Sequence, residues 1–252
     1  MLDAHVHIDQ YDNPSKTASL TSQKSVFAVA VTNLPSHFKA GLPHVKNLRN
    51  VKLAIGMHPL ASAKHGAEVD LFFQLLNETS FVGEIGLDGS REGKATIQTQ
   101  KETFALIAKS LSNKIVSIHS RGAEEDVLDI LVDNNVKGAI FHWYTGSESL
   151  IERILSNGHY FSVNPSMVAS NSGRKTIGKI PLDRLLTETD GPFVKIRGRI
   201  TQPWDVEVVE TYLSRMWSLE LDEVRGQIWK NFVQMAESQR VEIVRDSRNR
   251  SR

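Results

Sequence analysis

Short apolar segments alternate with helix-like segments along nearly the whole chain, and this alternation constrains the fold more than any other feature. The apolar segments cover residues 1–8, 25–31, 51–56, 81–87, 115–118, 138–141, 160–163 and 185–187. Strands separated by helices predict a parallel sheet covered by helices. Eight such units in a chain of 252 residues predict an α/β fold, a closed (β/α)8 TIM barrel rather than an open sheet.

The segments between these runs carry apolar residues at the three- and four-residue spacing of a helix face. Examples are Val69, Phe72, Phe73 and Leu76, then Phe104, Ile107 and Leu111, then Leu150, Ile151, Ile154 and Leu155. Thr145 and Glu148 have the spacing of a capping box, and Asn157 with Gly158 is a typical helix end. Two closing amphipathic helices are predicted by Val206, Val209, Leu213 and Met216, and by Val224, Ile228 and Phe232.

Composition limits the class of protein. We interpret residues 1–252 as a single barrel domain, with 245–252 as a flexible basic tail because it holds four arginines and no apolar residue. The net charge of +1 argues against a broad surface that coats nucleic acid, although a local basic rim can still hold a few phosphates. The absence of cysteine excludes disulfides and thiolate metal sites and fits a cytoplasmic protein. No apolar stretch reaches the length of a membrane span, so no membrane partner is expected.

Side chains able to bind metal lie at the carboxyl ends of the predicted strands, where a barrel places its active site. They are His5, His7, Glu84, His119, His142 and Asp190. Residues i and i+2 of a strand point to one face, so the imidazoles of His5 and His7 can reach one metal ion. Glu84 lies in an apolar run, where a carboxylate is costly to bury unless it is paired or bound to a cation.

Taken singly, several of these residues have an ordinary explanation. His119 and His142 fit hydrogen-bonded core histidines equally well, and Asp190 fits a residue that shapes a turn. Their joint occurrence at successive strand ends favours a metal site instead. Six ligands at one barrel mouth suggest two metal ions.

The motifs around these residues resemble those of the TatD-family metal-dependent deoxyribonucleases, a branch of the amidohydrolase-like barrels. They occur in the family's order: Asp3-Ala4-His5-Val6-His7-Ile8-Asp9, Gly56-Met57-His58-Pro59, Gly83-Glu84-Ile85-Gly86-Leu87-Asp88, His119-Ser120-Arg121, His142 with Thr145-Gly146-Ser147, Phe161-Ser162 with Asn164, and Glu188-Thr189-Asp190. A narrower resemblance is to the TatD-like component of the Qat antiphage defence systems. It depends on Gly89-Ser90, His142-Trp143-Tyr144 and Asp190-Gly191-Pro192-Phe193.

The family resemblance implies two divalent metal ions. One would be held by His5, His7 and Asp190. Two cations about 3.5 to 4 Å apart can clamp a phosphodiester and lower the pKa of a bound water. Asp190 is then the candidate to accept the proton from that water.

The second ion would be held by His119 and His142, with Glu84 as the bridge between the two ions. Mixed imidazole and carboxylate ligands suit zinc or manganese. Family nucleases are described with magnesium, so the metal stays open among Mg, Mn and Zn. Glu84 occupies the place where many amidase relatives have a modified lysine, which favours phosphoester chemistry.

Five residues are predicted to contact substrate. His58 is assigned to the phosphate or the leaving group, and its alternative role is to shape the turn before Pro59. Arg121 is close enough in sequence to His119 to reach a phosphate, with a surface ion pair as its alternative. Ser147 begins a helix whose amides can receive an anion, or it is a plain cap. Lys195 and Arg197 bind DNA backbone or an acidic partner, or they belong to a solvated loop.

These observations predict a metal-dependent hydrolase that cleaves DNA phosphodiester bonds, with 3'-5' exonuclease action on a single strand or free end as one form, and with a role in antiphage defence. The sequence does not separate exonuclease from endonuclease action. Two alternatives remain. One is another amidohydrolase-type reaction, such as D-aminoacyl-tRNA deacylation, and the other is a scaffold subunit that binds further Qat defence proteins. Gly89-Ser90 replaces the aromatic residue usual after Gly-Leu-Asp, which widens the mouth or removes a base-stacking surface.

Overall fold

Nine short parallel strands lie at the centre of the molecule in the computed structural model, which describes residues 1–243. They are β1 (Leu2–Val6), β2 (Phe27–Ala30), β3 (Val51–Leu53), β4 (Ile55–Met57), β5 (Phe81–Gly86), β6 (Ile115–His119), β7 (Ile140–His142), β8 (Tyr160–Val163) and β9 (Leu185–Thr187). An antiparallel hairpin follows, formed by β10 (Lys195–Ile196) and β11 (Arg199–Ile200).

Helices separate the strands and cover them. They are α1 (Pro14–Gln23), α2 (Pro35–Val45), α3 (His65–Leu75), α4 (Ile97–Ala108), α5 (Glu124–Asp133), α6 (Glu148–Ser156), α7 (Pro165–Ala169), α8 (Asn171–Ile177), α9 (Glu207–Trp217) and α10 (Leu221–Ser238). Each parallel strand is followed by helix before the next begins, except that Ala54 alone lies between β3 and β4.

The strands pair in the order β1-β2-β3 and β4-β5-β6-β7-β8-β9, and the two ends of this arrangement meet. The Thr187 hydroxyl donates to the carbonyl of Leu2 at 2.6 Å, which joins β9 to β1. Just beyond β9, the amide of Asp190 donates to the carbonyl of His5 at 3.0 Å. The predicted (β/α)8 barrel is therefore confirmed.

The segment 51–56, predicted as one strand, is two strands because the side chain of Thr32 enters the ladder. The Thr32 hydroxyl donates to the carbonyl of Ala54 at 2.9 Å and accepts from the amide of Gly56 at 3.1 Å. A Cβ on Gly56 would lie 1.5 Å from the carbonyl oxygen of Thr32, so only glycine permits this approach. The single-strand prediction for this segment was wrong, although the barrel position it fills was right.

The core lies between the strands and the covering helices. All residues of β5 are buried, as expected for a parallel strand covered on both faces. Helix α10 buries Ile228 and Phe232, and the ring of Phe232 lies 5.4 Å from that of Phe27 on β2. Buried polar side chains gather instead at the carboxyl end of the barrel, among them His5 and Glu84.

Most helix predictions are confirmed, including the two closing helices α9 and α10. The capping box was wrong. Ser147 is the N-cap residue of α6 and Thr145 lies outside the helix, where its hydroxyl donates to Glu124 at 3.4 Å. The predicted helix end is confirmed, because Asn157 is the C-cap residue.

Two predictions concern the exterior. The basic tail predicted at 245–252 lies outside the described residues. Within residues 1–243, every helix is too short or too polar to cross a bilayer.

His159 is a buried histidine at the opposite end of the barrel, just before β8. Its Nδ1 accepts from the amide of Ala139 at 3.2 Å, and its ring packs edge-on against Phe141. Burial, with a smaller contribution from the charge of Lys137, lowers the pKa of His159 to about 4. This imidazole stays neutral in the folded protein at pH values where an unfolded chain protonates it.

We expect His159→Asn to make the protein less sensitive to acid. The folded state resists protonation of His159, so its contribution to stability is present above pH 6.5 and lost as pH falls toward 4. That loss amounts to about 3 kcal/mol at pH 4. Asparagine keeps an acceptor for the Ala139 amide and does not titrate. Urea unfolding of both proteins between pH 7 and 4 checks this. The prediction is contradicted if the free energy of unfolding falls as steeply with pH in the variant as in the wild type.

Candidate metal centre

The six predicted metal ligands come together at the carboxyl end of the barrel. His5 lies on β1 and His7 lies one residue beyond it, where the chain enters a 3-10 turn, so the pair does not share the strand as the sequence suggested. The two side chains still converge, with 3.2 Å between their Nε2 atoms. Both residues are almost fully buried.

Glu84 lies at the centre of the cluster and has 2% exposure. One carboxylate oxygen, Oε2, lies 3.1 Å from Nε2 of His7 and 3.6 Å from Nε2 of His5. The other, Oε1, lies 2.9 Å from Nε2 of His142 and 2.5 Å from Nδ1 of His119. Glu84 therefore joins two groups of imidazoles, one at each oxygen.

Asp190 completes the group at Oε2 of Glu84. Its Oδ1 lies 3.8 Å from Nε2 of His5 and 3.7 Å from Nε2 of His7. Its backbone has a φ of 48°, in the left-handed region that non-glycine residues seldom adopt. Its amide is held by the carbonyl of His5, so the side chain is fixed over β1.

Donor atoms of His5, His7 and Glu84 lie within 4.8 Å of one another, and so do those of His5, His142 and Asp190, so each set of three can reach one cation. Four donors at about 2.1 Å from a tetrahedral ion lie about 3.4 Å from one another. The five distances given above among His5, His7, Glu84 and Asp190 run from 3.1 to 3.8 Å. Imidazole nitrogens and carboxylate oxygens are also the donors that Zn²⁺ and Mn²⁺ accept.

The second group is tighter. His119 and His142 both contact Oε1 of Glu84, and His58 points its Nε2 at Oε2 from 3.5 Å. His58, Glu84 and His119 also place donor atoms within 4.8 Å of one another. The short contacts between imidazole and carboxylate are hydrogen bonds, so a cation here would replace the protons that now lie between these atoms.

Charges within the cluster are mutually dependent. Burial alone would raise the pKa of Glu84, but the nearby His58, His142 and His119 hold that pKa well below its usual range. Burial likewise lowers the pKa of His142, but Glu84 and Glu188 together raise it well above its usual range. The carboxylate of Glu84 is therefore charged at all physiological pH values, and His142 carries a proton beside it.

Asp190 and His5 behave differently. Burial raises the pKa of Asp190 to about 7, against the opposing charges of His142 and His7. Burial and the charge of His142, whose ring stacks on that of His5 at 3.8 Å, hold the pKa of His5 well below its usual range. Asp190 can thus take or give a proton near neutral pH, and His5 presents a neutral nitrogen.

Three supporting residues were missed by the sequence analysis. Asp88 accepts from Nε2 of His119 at 2.8 Å, and the hydroxyl of Ser117 lies 2.7 Å from Nδ1 of His5. Glu188 lies 3.6 Å from Nδ1 of His142. Asp88 and Ser117 fix their imidazoles from behind, as second partners of metal-binding histidines do, whereas Glu188 is a nearby charge without a hydrogen bond to His142. Asp88 and Glu188 lie in motifs already noted, but only the three-dimensional structure pairs each with its histidine.

Asp3 is a fourth such residue. Its carboxylate accepts from the amide of Thr189 at 2.9 Å and from the Thr189 hydroxyl at 2.5 Å. Burial raises the pKa of Asp3 well above its usual range, although these hydrogen bonds oppose the effect. We call this contact the Asp3–Thr189 clasp. It joins β1 to the segment that carries Asp190.

A cavity of about 640 Å³ opens over the cluster. Two of the predicted substrate contacts, His58 and Arg121, line this cavity. The side chain of Arg121 is exposed and brings a guanidinium group to the wall. The remaining wall was not predicted to bind substrate. It includes Trp143 and Phe193, and the ring of Phe193 packs edge-on against His7 at 4.9 Å while 57% of the residue is exposed.

The other three predicted contacts lie outside this wall. Ser147 is exposed at the start of α6, and its hydroxyl lies 3.0 Å from that of Ser149. Lys195 and Arg197 are exposed on the β10–β11 hairpin. Arg199 on the same hairpin forms a two-pronged ion pair with Asp205, which leaves Lys195 and Arg197 as its unpaired cations among the described residues.

Comparison with known proteins decides the family. A family model described as TatD related DNase matches residues 2–236. The chain belongs to the TatD family. A TatD relative from Methanocaldococcus jannaschii, an uncharacterized metal-dependent hydrolase, is 28% identical over 239 residues, which are 91% of this chain and 94% of the relative.

Two further TatD proteins are informative. The human deoxyribonuclease TATDN3 is 24% identical over 149 residues, or 57% of this chain and 54% of its own. The crystal structure of YjjV, a TatD homolog from Escherichia coli, matches with a TM-score of 0.78 at 23% identity, covering 93% of this chain and 97% of that one. The chain is thus a TatD-family metal-dependent hydrolase with the family's barrel fold.

We expect divalent metal to bind this TatD protein more tightly as pH rises from 6 to 8. The raised pKa of His142 means that a cation has to displace a proton there, so acid competes with the metal. Calorimetric titration with Zn²⁺ and Mn²⁺ in buffers of different ionisation enthalpy measures the protons released. Affinity that is independent of pH, with no proton release, contradicts the assignment.

We expect Asp88→Asn to weaken metal binding by about 10- to 100-fold, because the variant removes the charge behind His119. Burial alone would raise the pKa of Asp88. Hydrogen bonds from His119 and Ser90 outweigh burial and hold this pKa at about 2, so the carboxylate is charged in the native protein. Titration against a competing chelator gives the affinity. Asp133→Asn, on the exposed surface of α5, is the matched control. Equal affinity in both variants refutes the role of Asp88.

Proposed function

We propose that this TatD protein is a nuclease that hydrolyses DNA phosphodiester bonds with two divalent metal ions, held by the six residues His5, His7, Glu84, His119, His142 and Asp190. The observation that carries the proposal is the buried carboxylate of Glu84, which offers one oxygen to each of two donor groups. Two neighbouring cations would neutralise phosphate charge and make a water easier to deprotonate.

Asp190 accepts the proton of the attacking water. Its carboxylate lies at the first donor group and beside the cavity, and its pKa of about 7 suits proton transfer near neutral pH. Glu84 stays ionised throughout, because its pKa lies well below its usual range. Its role is to hold the two groups of imidazoles at a fixed separation.

His58 and Arg121 position the phosphate. Both line the cavity, and His58 is fixed because its Nδ1 accepts from the amide of Leu60 at 3.1 Å. The guanidinium of Arg121 can bond two phosphate oxygens at once. Lys195 and Arg197, on the hairpin, and Ser147, at the start of α6, contact more distant parts of a bound strand.

A DNA substrate with a free 3' end is the finer part of the proposal. The human relative is named a deoxyribonuclease, which supports DNA as the substrate. We further propose a defence role with other Qat proteins in the cytoplasm, supported by the motifs Gly89-Ser90 and Asp190-Gly191-Pro192-Phe193 and by the absence of cysteine. The exposed hairpin is a surface that such partners can contact.

The test is cleavage of end-labelled single-stranded DNA with a free or a blocked 3' end, in Mg²⁺, Mn²⁺ and Zn²⁺. We expect metal-dependent cleavage that starts at the free 3' end. Glu84→Ala should lower the rate by about 10³-fold or more, or ~4 kcal/mol of barrier, since it removes the residue common to both donor groups. Glu78→Ala, exposed and outside the cavity, is the matched control.

Each other result has a definite meaning. Cleavage of the blocked strand at the same rate rejects the exonuclease form but keeps the nuclease. Intact DNA in all metals, with hydrolysis of D-aminoacyl-tRNA in a parallel assay, rejects the nuclease and selects the deacylase. If the metal-bound protein cleaves neither DNA nor D-aminoacyl-tRNA, the scaffold role is the alternative that remains. Equal cleavage by Glu84→Ala shows that the cluster is not the active site.

A further inference from the structure

A second cavity adjoins the metal cavity. Its volume is about 400 Å³, within the range of 300 to 1,000 Å³ that is typical of small-molecule sites. Trp143 and Thr145 line both cavities, so the two lie on either side of the segment that follows β7. The rest of the second wall comes from the start of α6 and from α7 and α8.

The chemistry of the second cavity suits a phosphate and its sugar. Ser166, Ser170, Ser172 and Thr176 lie on its wall, and the hydroxyl of Ser170 accepts from the amide of Gly173 at 2.9 Å as the N-cap of α8. Lys175 supplies an ammonium group that is exposed and forms no ion pair within residues 1–243. The carboxylate of Glu148 also lies on this wall, and it is partly neutralised by Lys179 at 3.6 Å.

Trp143 is the partition between the cavities. Its backbone has a φ of 38°, in the left-handed region, and its amide donates to Glu188 at 3.2 Å. Such a conformation persists in a non-glycine residue only where the surroundings hold it, often at functional sites. Trp143 lines both cavities and so offers an indole surface for base stacking between them, whereas Phe193 lines the metal cavity alone and Gly89-Ser90 carries no ring.

We propose that the second cavity binds the next nucleotide of a single-stranded substrate whose scissile phosphate lies at the metal centre. This inference rests on the proposed nuclease function and extends it. The strand crosses Trp143, against which a base stacks, and its next phosphate contacts Lys175 and the hydroxyl groups. We therefore expect the enzyme to hydrolyse a single strand more efficiently than a small phosphodiester, because only the strand reaches both cavities.

The experiment compares two substrates: an eight-nucleotide single strand, and bis(p-nitrophenyl) phosphate, which reaches the metal cavity alone. The readout is the ratio of kcat/KM on the strand to kcat/KM on the small diester, so a general loss of activity cancels. Lys175→Gln removes the cation of the second cavity. Lys109→Gln removes an equal charge from an exposed position that lines neither cavity, and is the matched control.

Ser172 provides a test of opposite signs. It is exposed on the wall of the second cavity, so Ser172→Glu adds a repelling charge and Ser172→Lys an attracting one. We expect the ratio to fall about 3- to 10-fold for Lys175→Gln and Ser172→Glu, and to rise about 2-fold for Ser172→Lys, with the effect in KM. The salt dependence of strand binding should weaken by about 0.7 in log–log slope for Lys175→Gln.

Ratios equal to the wild type in all three variants, or equal shifts for Glu and Lys at position 172, overturn the second subsite and leave the nuclease proposal intact. If the wild type hydrolyses the small diester but no strand, the nuclease proposal fails, and the second subsite fails with it. A fall in the ratio for Lys109→Gln as large as that for Lys175→Gln shows that net charge alone acts, and also overturns the subsite.

Discussion

A carboxylate inside an apolar strand needs opposite charge around it, and the environment of Glu84 is the physical constraint on which the rest of this structure depends. The side chain is buried in β5, where an unpaired charge would cost several kcal/mol. Imidazoles from β1 and the residue just beyond its end, from β6 and from β7 surround it instead. Strands β6 and β7 follow β5 in the sheet, but β1 pairs with β2 and is joined to β9, so only barrel closure brings all of these groups to one carboxylate.

The groups behind the imidazoles extend this arrangement outward. Asp88 and Ser117 each contact the side of a histidine that faces away from the cluster. They fix ring orientation, so the converging nitrogens are arranged before any cation arrives. The same enclosure removes the cluster from water, and this burial raises the pKa of Asp190 to about 7 despite the nearby imidazoles.

The sequence predicts the barrel and the cluster because both depend on local patterns. Strand ends are readable from apolar runs, and a parallel barrel puts all strand ends at one mouth, so His119 and His142 could be placed before any coordinates. Contacts made by tertiary neighbours were not readable. The Thr32 hydroxyl divides a strand that looks continuous, and Ser147 rather than Thr145 caps α6. The sequence places Trp143 only in the motif His142-Trp143-Tyr144, and its position between two cavities depends on the tertiary structure.

The Asp3–Thr189 clasp has a consequence for how the site is assembled during synthesis. It ties the first strand of the barrel to a segment that is made only when three quarters of the chain has been synthesised. A prematurely terminated product can contain five of the six converging side chains and still lack both the clasp and Asp190. The six-residue cluster is thus complete only after the segment that follows β9 has been made.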